Sequence, residues 1–169
     1  MTTAELLLQD YEMEVAMTRH ILERIPEDNP EFKCHDKSMP VGKLAMHVAT
    51  LPIFGVTILT TPYLDLSAPD QNSPDQTFRS RDITLATFDA AADECRVALA
   101  GLSDEEFAEP WRFSFGEHVI SSGPKSLAYR HMCFNHLIHH RAQLSVYLRL
   151  NNIPVPGLYG PSADETFNP

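Results

Sequence analysis

The sequence predicts an all-α chain: an antiparallel four-helix bundle with one long loop and a short β-hairpin strap. Three observations carry this expectation. Four long stretches repeat apolar residues at three- and four-residue intervals, the helical period. These stretches are bounded by capping residues or by proline, glycine and asparagine. Period-two alternation is confined to one short run. Hydrophobic residues fill 43% of the 169 positions and charged residues 21%, which is apolar enough for one core and too apolar for a disordered chain. A single domain over 1–169 is therefore expected.

The first helix is expected over residues 3–25. Thr2 and Glu5 have the spacing of a capping box, and Leu7, Tyr11, Val15, Thr18, Leu22 and Ile25 recur on one face. Pro26, Asn29 and Pro30 stop it. The second helix is expected to begin at Ser38 as N-cap, with Pro40 in its first turn. Leu44, His47, Val48 and Leu51 share a face, and Pro52 should kink or end the helix ahead of a further apolar segment, 53–61. Residues 65–81 form a polar loop longer than most helix connections, as expected of a segment covering a site or a partner surface.

The third helix is expected over 82–102, with Phe88, Ala91, Cys95, Leu99 and Leu102 as its stripe. Ser103 and Glu106 repeat the capping-box spacing and open a short helical turn. Residues 111–115 then alternate with period two ahead of Gly116, the pattern of a small hairpin or strap. Gly123 and Pro124 start the last helix, with proline at the first helical position, and Asn151 to Pro154 end it. About 28 residues at about 1.5 Å each give roughly 40 Å. The tail after it is turn-rich and expected to be irregular.

The formal net charge of −10, from 13 basic against 23 acidic residues, would repel a phosphate backbone, so nucleic acid is not expected as a partner. Cys34, Cys95 and Cys133 are odd in number and lack CxxC spacing, which argues against a disulfide framework. The first residues carry acids where a signal peptide needs a basic region. The uncharged stretch 44–64 is interrupted by Pro52, Gly55, Pro62 and four threonines, too broken for the roughly 20 apolar residues of a membrane span. A cytoplasmic protein with no membrane partner and a small-molecule ligand is expected.

Eight histidines are present, four of them between positions 131 and 140. His136 and His140 lie four apart, on one helix face and close enough to share a metal ion. Chance alone supplies about 0.4 such pairs at this composition, so the pair needs a third ligand to mean anything. Leu137 stands where a metalloprotease needs glutamate, which excludes that reading. His47, on the apolar face of the second helix, is the best third ligand, because bundle metal sites are built from inward side chains on facing helices. Taken alone, His47 reads better as a core histidine bonded to a carbonyl; three converging neutral imidazoles reverse that preference. His139 points about 100° away from His140, His131, five residues before His136, is also displaced, and His20, His35 and His118 read as surface or loop residues. His118 is a weak reserve ligand, and Cys133 could approach the same face but reads better as a small buried hydrophobe. Gln143 and Tyr147, one turn apart, are candidates to hydrogen-bond a substrate or to orient a metal-bound histidine. For Arg141 a solvated position is about as expected as a role at the site.

The segment from Asn135 to Leu144, His47 on the second helix and the late run from Tyr159 to Glu165 together resemble the DinB-like superfamily. The resemblance spans essentially the whole chain, and its most specific part is the His-xxx-His-Arg-x-Gln helix. It implies a divalent-metal four-helix bundle in which His47, His136 and His140 hold the ion, zinc or nickel, and a homodimer made by helix packing. It further implies a transferase or isomerase that uses a low-molecular-weight thiol. The alternatives are a non-catalytic, stress-associated metal-binding protein and a metal-dependent hydrolase. Two positions depart from the family pattern. Ala142 replaces a frequent glycine, and Lys37-Ser38-Met39 lacks the tryptophan that often precedes the second helix.

Overall fold

The computed structural model describes residues 1–68 and 73–166. Helix α1 (Thr3–Leu22) opens on the expected capping box: Thr2 Oγ1 accepts from the Glu5 N–H, and the Glu5 carboxylate accepts from the Thr2 N–H. It ends a turn early, and residues 24–25 continue as tight turns that still bury Ile25 in the core. Helix α2 (Val41–Thr60) begins later than expected. Its cap position is Pro40, while Ser38 lies in the preceding loop with its N–H bonded to the His35 carbonyl.

Pro52 neither ends α2 nor splits it. The proline removes the donor for the Val48 carbonyl, a cost of about 3 kcal/mol. Against that, Leu44, Val48, Leu51, Ile58 and Leu59 are all buried on this helix, each contributing about 1.5–3 kcal/mol. Burial wins. The same continuity makes α2 long and apolar enough, by composition, to cross a membrane: its mean hydropathy reaches 1.5, although 67% of that window is buried inside the protein.

After α2 comes β1 (Tyr63–Asp65), then α3 (Arg81–Gly101), capped by Ser80. The short α4 (Asp104–Ala108) carries the second capping box. The expected strap is an antiparallel pair, β2 (Pro110–Phe115) and β3 (His118–Pro124), turned at Gly116 with φ of 57°. It belongs to a three-stranded sheet, because β1 pairs in parallel with β2. The Asp65 carboxylate locks that junction by accepting from the Gly116 and Ser67 N–H groups. Three residues show no periodicity, so this strand is made by its distant partner.

The final helical stretch is α5 (Lys125–Tyr129), a π-helical turn (Arg130–Phe134) and α6 (Asn135–Leu150). Pro124 sits at the cap and not inside the helix. The Asn135 N–H reaches back five residues to the Arg130 carbonyl, so the turn takes in one extra residue and re-aims everything after it. The core has two apolar clusters. One gathers Tyr11, Ile58, Leu59, Leu99, Trp111 and Tyr129; the other gathers Ile21, Leu44, Val48, Phe88, Leu144 and Leu148. Helix α2 passes from the second cluster to the first between Leu51 and Ile58, and the last helical stretch crosses between them from Phe134 to Leu137.

Candidate metal centre

His47, His136 and His140 converge where those helices cross. One ligand atom from each lies within 4.8 Å of the others. His47 Nε2 is 3.4 Å from His136 Nε2, which is 2.8 Å from His140 Nε2. The far sides of the rings explain why the near sides face each other. His136 Nδ1 lies 3.2 Å from the Met132 carbonyl, which only accepts, so the ring proton sits there. His140 Nδ1 donates to Gln143 Oε1 at 2.7 Å, while Gln143 Nε2 donates to His139 Nε2 at 3.1 Å. With both Nδ1 atoms protonated, two bare Nε2 lone pairs point at each other.

Burial pushes His47 down to about 4, with His140 and His136 adding to the effect. Burial also lowers His136 and His140. Three neutral imidazoles therefore face one point at neutral pH. A first-row divalent ion bonded at about 2.0–2.1 Å holds imidazole nitrogens about 3 Å apart, so the donor set fits such an ion.

His47 Nδ1 lies 3.1 Å from Gln76 Nε2, from the loop before α3. Rotating that amide by half a turn presents Oε1, the acceptor a ligating His47 requires. Sequence reasoning assigned a covering role to this loop but not to Gln76. Part of it, 69–72, lies outside the described residues.

The other candidates lie elsewhere. Tyr147 is buried, donates its hydroxyl to the Met39 carbonyl at 2.7 Å and packs edge-on against Phe32. It is held by the α1–α2 connection. Cys133 is buried beside Cys95 and Gly55, with its thiol on the Leu51 carbonyl. His118 is exposed on β3, and His20, His35, His131 and His139 are exposed as well.

Arg141 is not solvated. Only 1% of its side chain is exposed, and it pairs at 2.6 Å with Glu14 of α1, whose carboxylate also receives the Tyr159 hydroxyl. Sequence reasoning missed Glu14, although the spacing Tyr11, Glu14, Thr18 places it on the inward stripe of α1.

Beside the triad is a cavity of about 320 Å³ reaching from His47 and His136 to the sheet. It is walled mainly by α2 and by Ser73, Pro74 and Gln76 of the loop before α3, with Leu64 of β1 and Phe113 of β2 at the sheet end.

A family model described as the DinB family matches residues 1–166. The uncharacterized protein YrdA of Bacillus subtilis (strain 168) is 24% identical over 164 residues, covering 96% of this chain and 92% of that protein. A DinB-like protein of B. subtilis, YjoA, superposes with a TM-score of 0.67 at 17% identity, over 88% of this chain and 94% of that one. A DinB-like protein of Bacillus cereus ATCC 10987 gives 0.64 at 17% identity, over 90% and 95%. At such identities the two structures speak for the fold alone. The match of the family model over nearly the full length is what assigns the chain, and it belongs to the DinB family.

Proposed function

We propose that this protein binds a divalent metal ion, zinc or nickel, through His47, His136 and His140 on a four-helix bundle. The ion serves the transfer of a low-molecular-weight thiol to a small electrophile. The observation that carries the metal is the 2.8 Å approach of His136 Nε2 to His140 Nε2 with both Nδ1 atoms committed to acceptors. Two lone pairs at that distance repel unless a cation lies between or beside them.

Three protein ligands leave positions open, as in catalytic sites and unlike closed structural ones. The reserve ligands Cys133 and His118 fall outside the cluster. Bound there, the ion would supply Lewis acidity that makes a thiol acidic. The thiol sulfur forms the new bond to the electrophilic carbon, and the leaving group departs with the bonding pair. The thiol proton passes to solvent, since no carboxylate lines the adjoining cavity among the described residues. Gln76 and Gln143 are positioning residues that orient the imidazoles.

Elemental analysis of wild type against His47→Ala tests the centre. A stoichiometric ion lost in the variant supports it; no ion in the wild type, or full retention in the variant, overturns it. Incubation of metal-loaded protein with thiols and a generic electrophile tests the reaction, and absence of any conjugate across the panel rejects the transferase.

A further inference from the structure

The cavity beside the triad differs in character from four other clefts in the surface. Its apolar walls are Leu51, Ile53 and Phe54 of α2, Leu64 of β1, Leu66 of the following turn and Phe113 of β2. Every other lining side chain among the described residues is a hydroxyl, an amide, a proline or an imidazole. Each of four other clefts carries a carboxylate: Asp65, Glu31, Glu27 and Glu105 in turn. Phe54 and Phe113 meet at 5.8 Å and remain half-buried, so apolar ring surface is left facing the cavity. The volume of about 320 Å³ equals the share of about ten water molecules.

We propose that this cavity binds the electrophile, and that it selects an uncharged organic molecule the size of one aromatic ring or a short alkyl chain. This rests on the reading that the triad serves a small-molecule reaction. An apolar body recovers contact with the Phe54, Phe113 and Leu64 surfaces. A carboxylate or phosphate lodged against those apolar walls, away from the imidazoles, gives up its hydration among described side chains that offer no cation. Phe113 sets the shape of the site, and Leu66, which is 45% exposed, lines it where a charge could be introduced without burying it.

Trp111 is the only tryptophan in the chain. It is buried, stacked on Phe113 at 6.0 Å, and lies 6.1 Å from Phe54, so its emission reports on the wall. The test titrates benzyl alcohol and benzoate into full-length, chelator-treated protein, followed by Trp111 emission and calorimetry. The alcohol should bind about tenfold or more tightly than the carboxylate. Phe113→Ala should weaken the alcohol about fivefold, and Leu66→Lys should narrow or invert the alcohol-to-benzoate ratio. Benzoate binding as tightly as the alcohol, no saturable binding of either, or a ratio untouched by Leu66→Lys would overturn the proposal. Because Leu66 is on the surface, that variant keeps the test decisive if Phe113→Ala fails to fold. Measuring without metal separates this result from the elemental analysis, so either reading can fail alone.

Discussion

Replacing Arg141 by methionine keeps most of the side-chain stem and removes the guanidinium. The Glu14 carboxylate, 9% exposed, then loses its 2.6 Å partner and keeps only the Tyr159 hydroxyl as a side-chain donor. Arg141 also donates to the Glu14 carbonyl and the Thr18 hydroxyl, which each lose one bond but keep the one between them, the hydroxyl donating to the carbonyl. Breaking a buried pair from one side costs about 3–5 kcal/mol, because the remaining charge is uncompensated. A chain of 169 residues unfolds with an entropy of about 0.35 kcal/mol/K, so Tm should fall by about 8–14 °C. The double variant Arg141→Met, Glu14→Gln removes both charges and leaves an amide that can accept from Tyr159. It should recover most of the loss, giving a coupling of about 2 kcal/mol or more. Urea unfolding of wild type, both single variants and the double variant measures the cycle, with unchanged m-values as the check on two-state behaviour. A single-variant cost below about 1 kcal/mol, or a double variant no more stable than Arg141→Met, would refute the reasoning.

Three further outcomes are expected. Gln143→Leu removes the acceptor that fixes the proton on His140 Nδ1 and should weaken metal affinity by about 10–100-fold at unchanged fold; competition with a chromophoric chelator reads it, and unaltered affinity would remove Gln143 from the centre. Gly55→Ala places a Cβ 2.8 Å from Cys133 Sγ and 2.9 Å from Cys95 Sγ, so urea unfolding should show a loss of about 1–3 kcal/mol from overpacking, partly relieved by adding Cys133→Ala. The tail should undock in acid. Arg149 and the Val155 N–H hold the Asp164 carboxyl below its ordinary value, and Arg24 and the Gly157 N–H do the same for Glu165. A depressed folded pKa contributes stability above the unfolded value, near about 4, and that contribution is lost as pH falls through the folded pKa. Amide protection relative to an unfolded chain at the same pH should therefore be high over residues 155–165 at neutral pH and fall steeply below that range, and equal protection at both ends would contradict the assigned pairs.

The long helices and the triad were legible because both are written in local period. A face at i, i+3, i+4 and i+7 set His47 inward beside Leu44, Val48 and Leu51, and the same rule put His136 and His140 together. The capping boxes at Thr2 and Ser103 were equally local. What escaped depends on residues far away in the chain. β1 exists through β2, 49 positions on. Helix α2 runs through Pro52 because burial outweighs the missing bond. The π-helical turn has no residue signature, since it resolves how Cys133 and Phe134 fit the core while His136 meets His47. Gln76 and Glu14 were hidden for a different reason: a polar side chain becomes a partner only once the second helix or loop is in place.

The rotation of α6 ties these particulars into one argument. Successive residues advance by about 100° around the axis. Setting His136 at zero puts His140 at about 40°, Gln143 at about 340° and His139 at about 300°, so Gln143 stands between the two histidines that it bridges. Arg141 falls at about 140°, between Leu137 and the outer face, and is turned toward Glu14 on α1. The histidines meanwhile face His47 on α2. A small rotation of α6 would lengthen either the Arg141–Glu14 contact or the approach to His47, so each restrains the other. The buried ion pair, costly to assemble, is thus placed where it fixes the angle at which two imidazoles are presented. On this geometry Arg141→Met should loosen the triad as well as the fold, whereas removing the surface ion pair that Arg149 of the same helix makes with Asp164 of the tail should leave the triad unchanged.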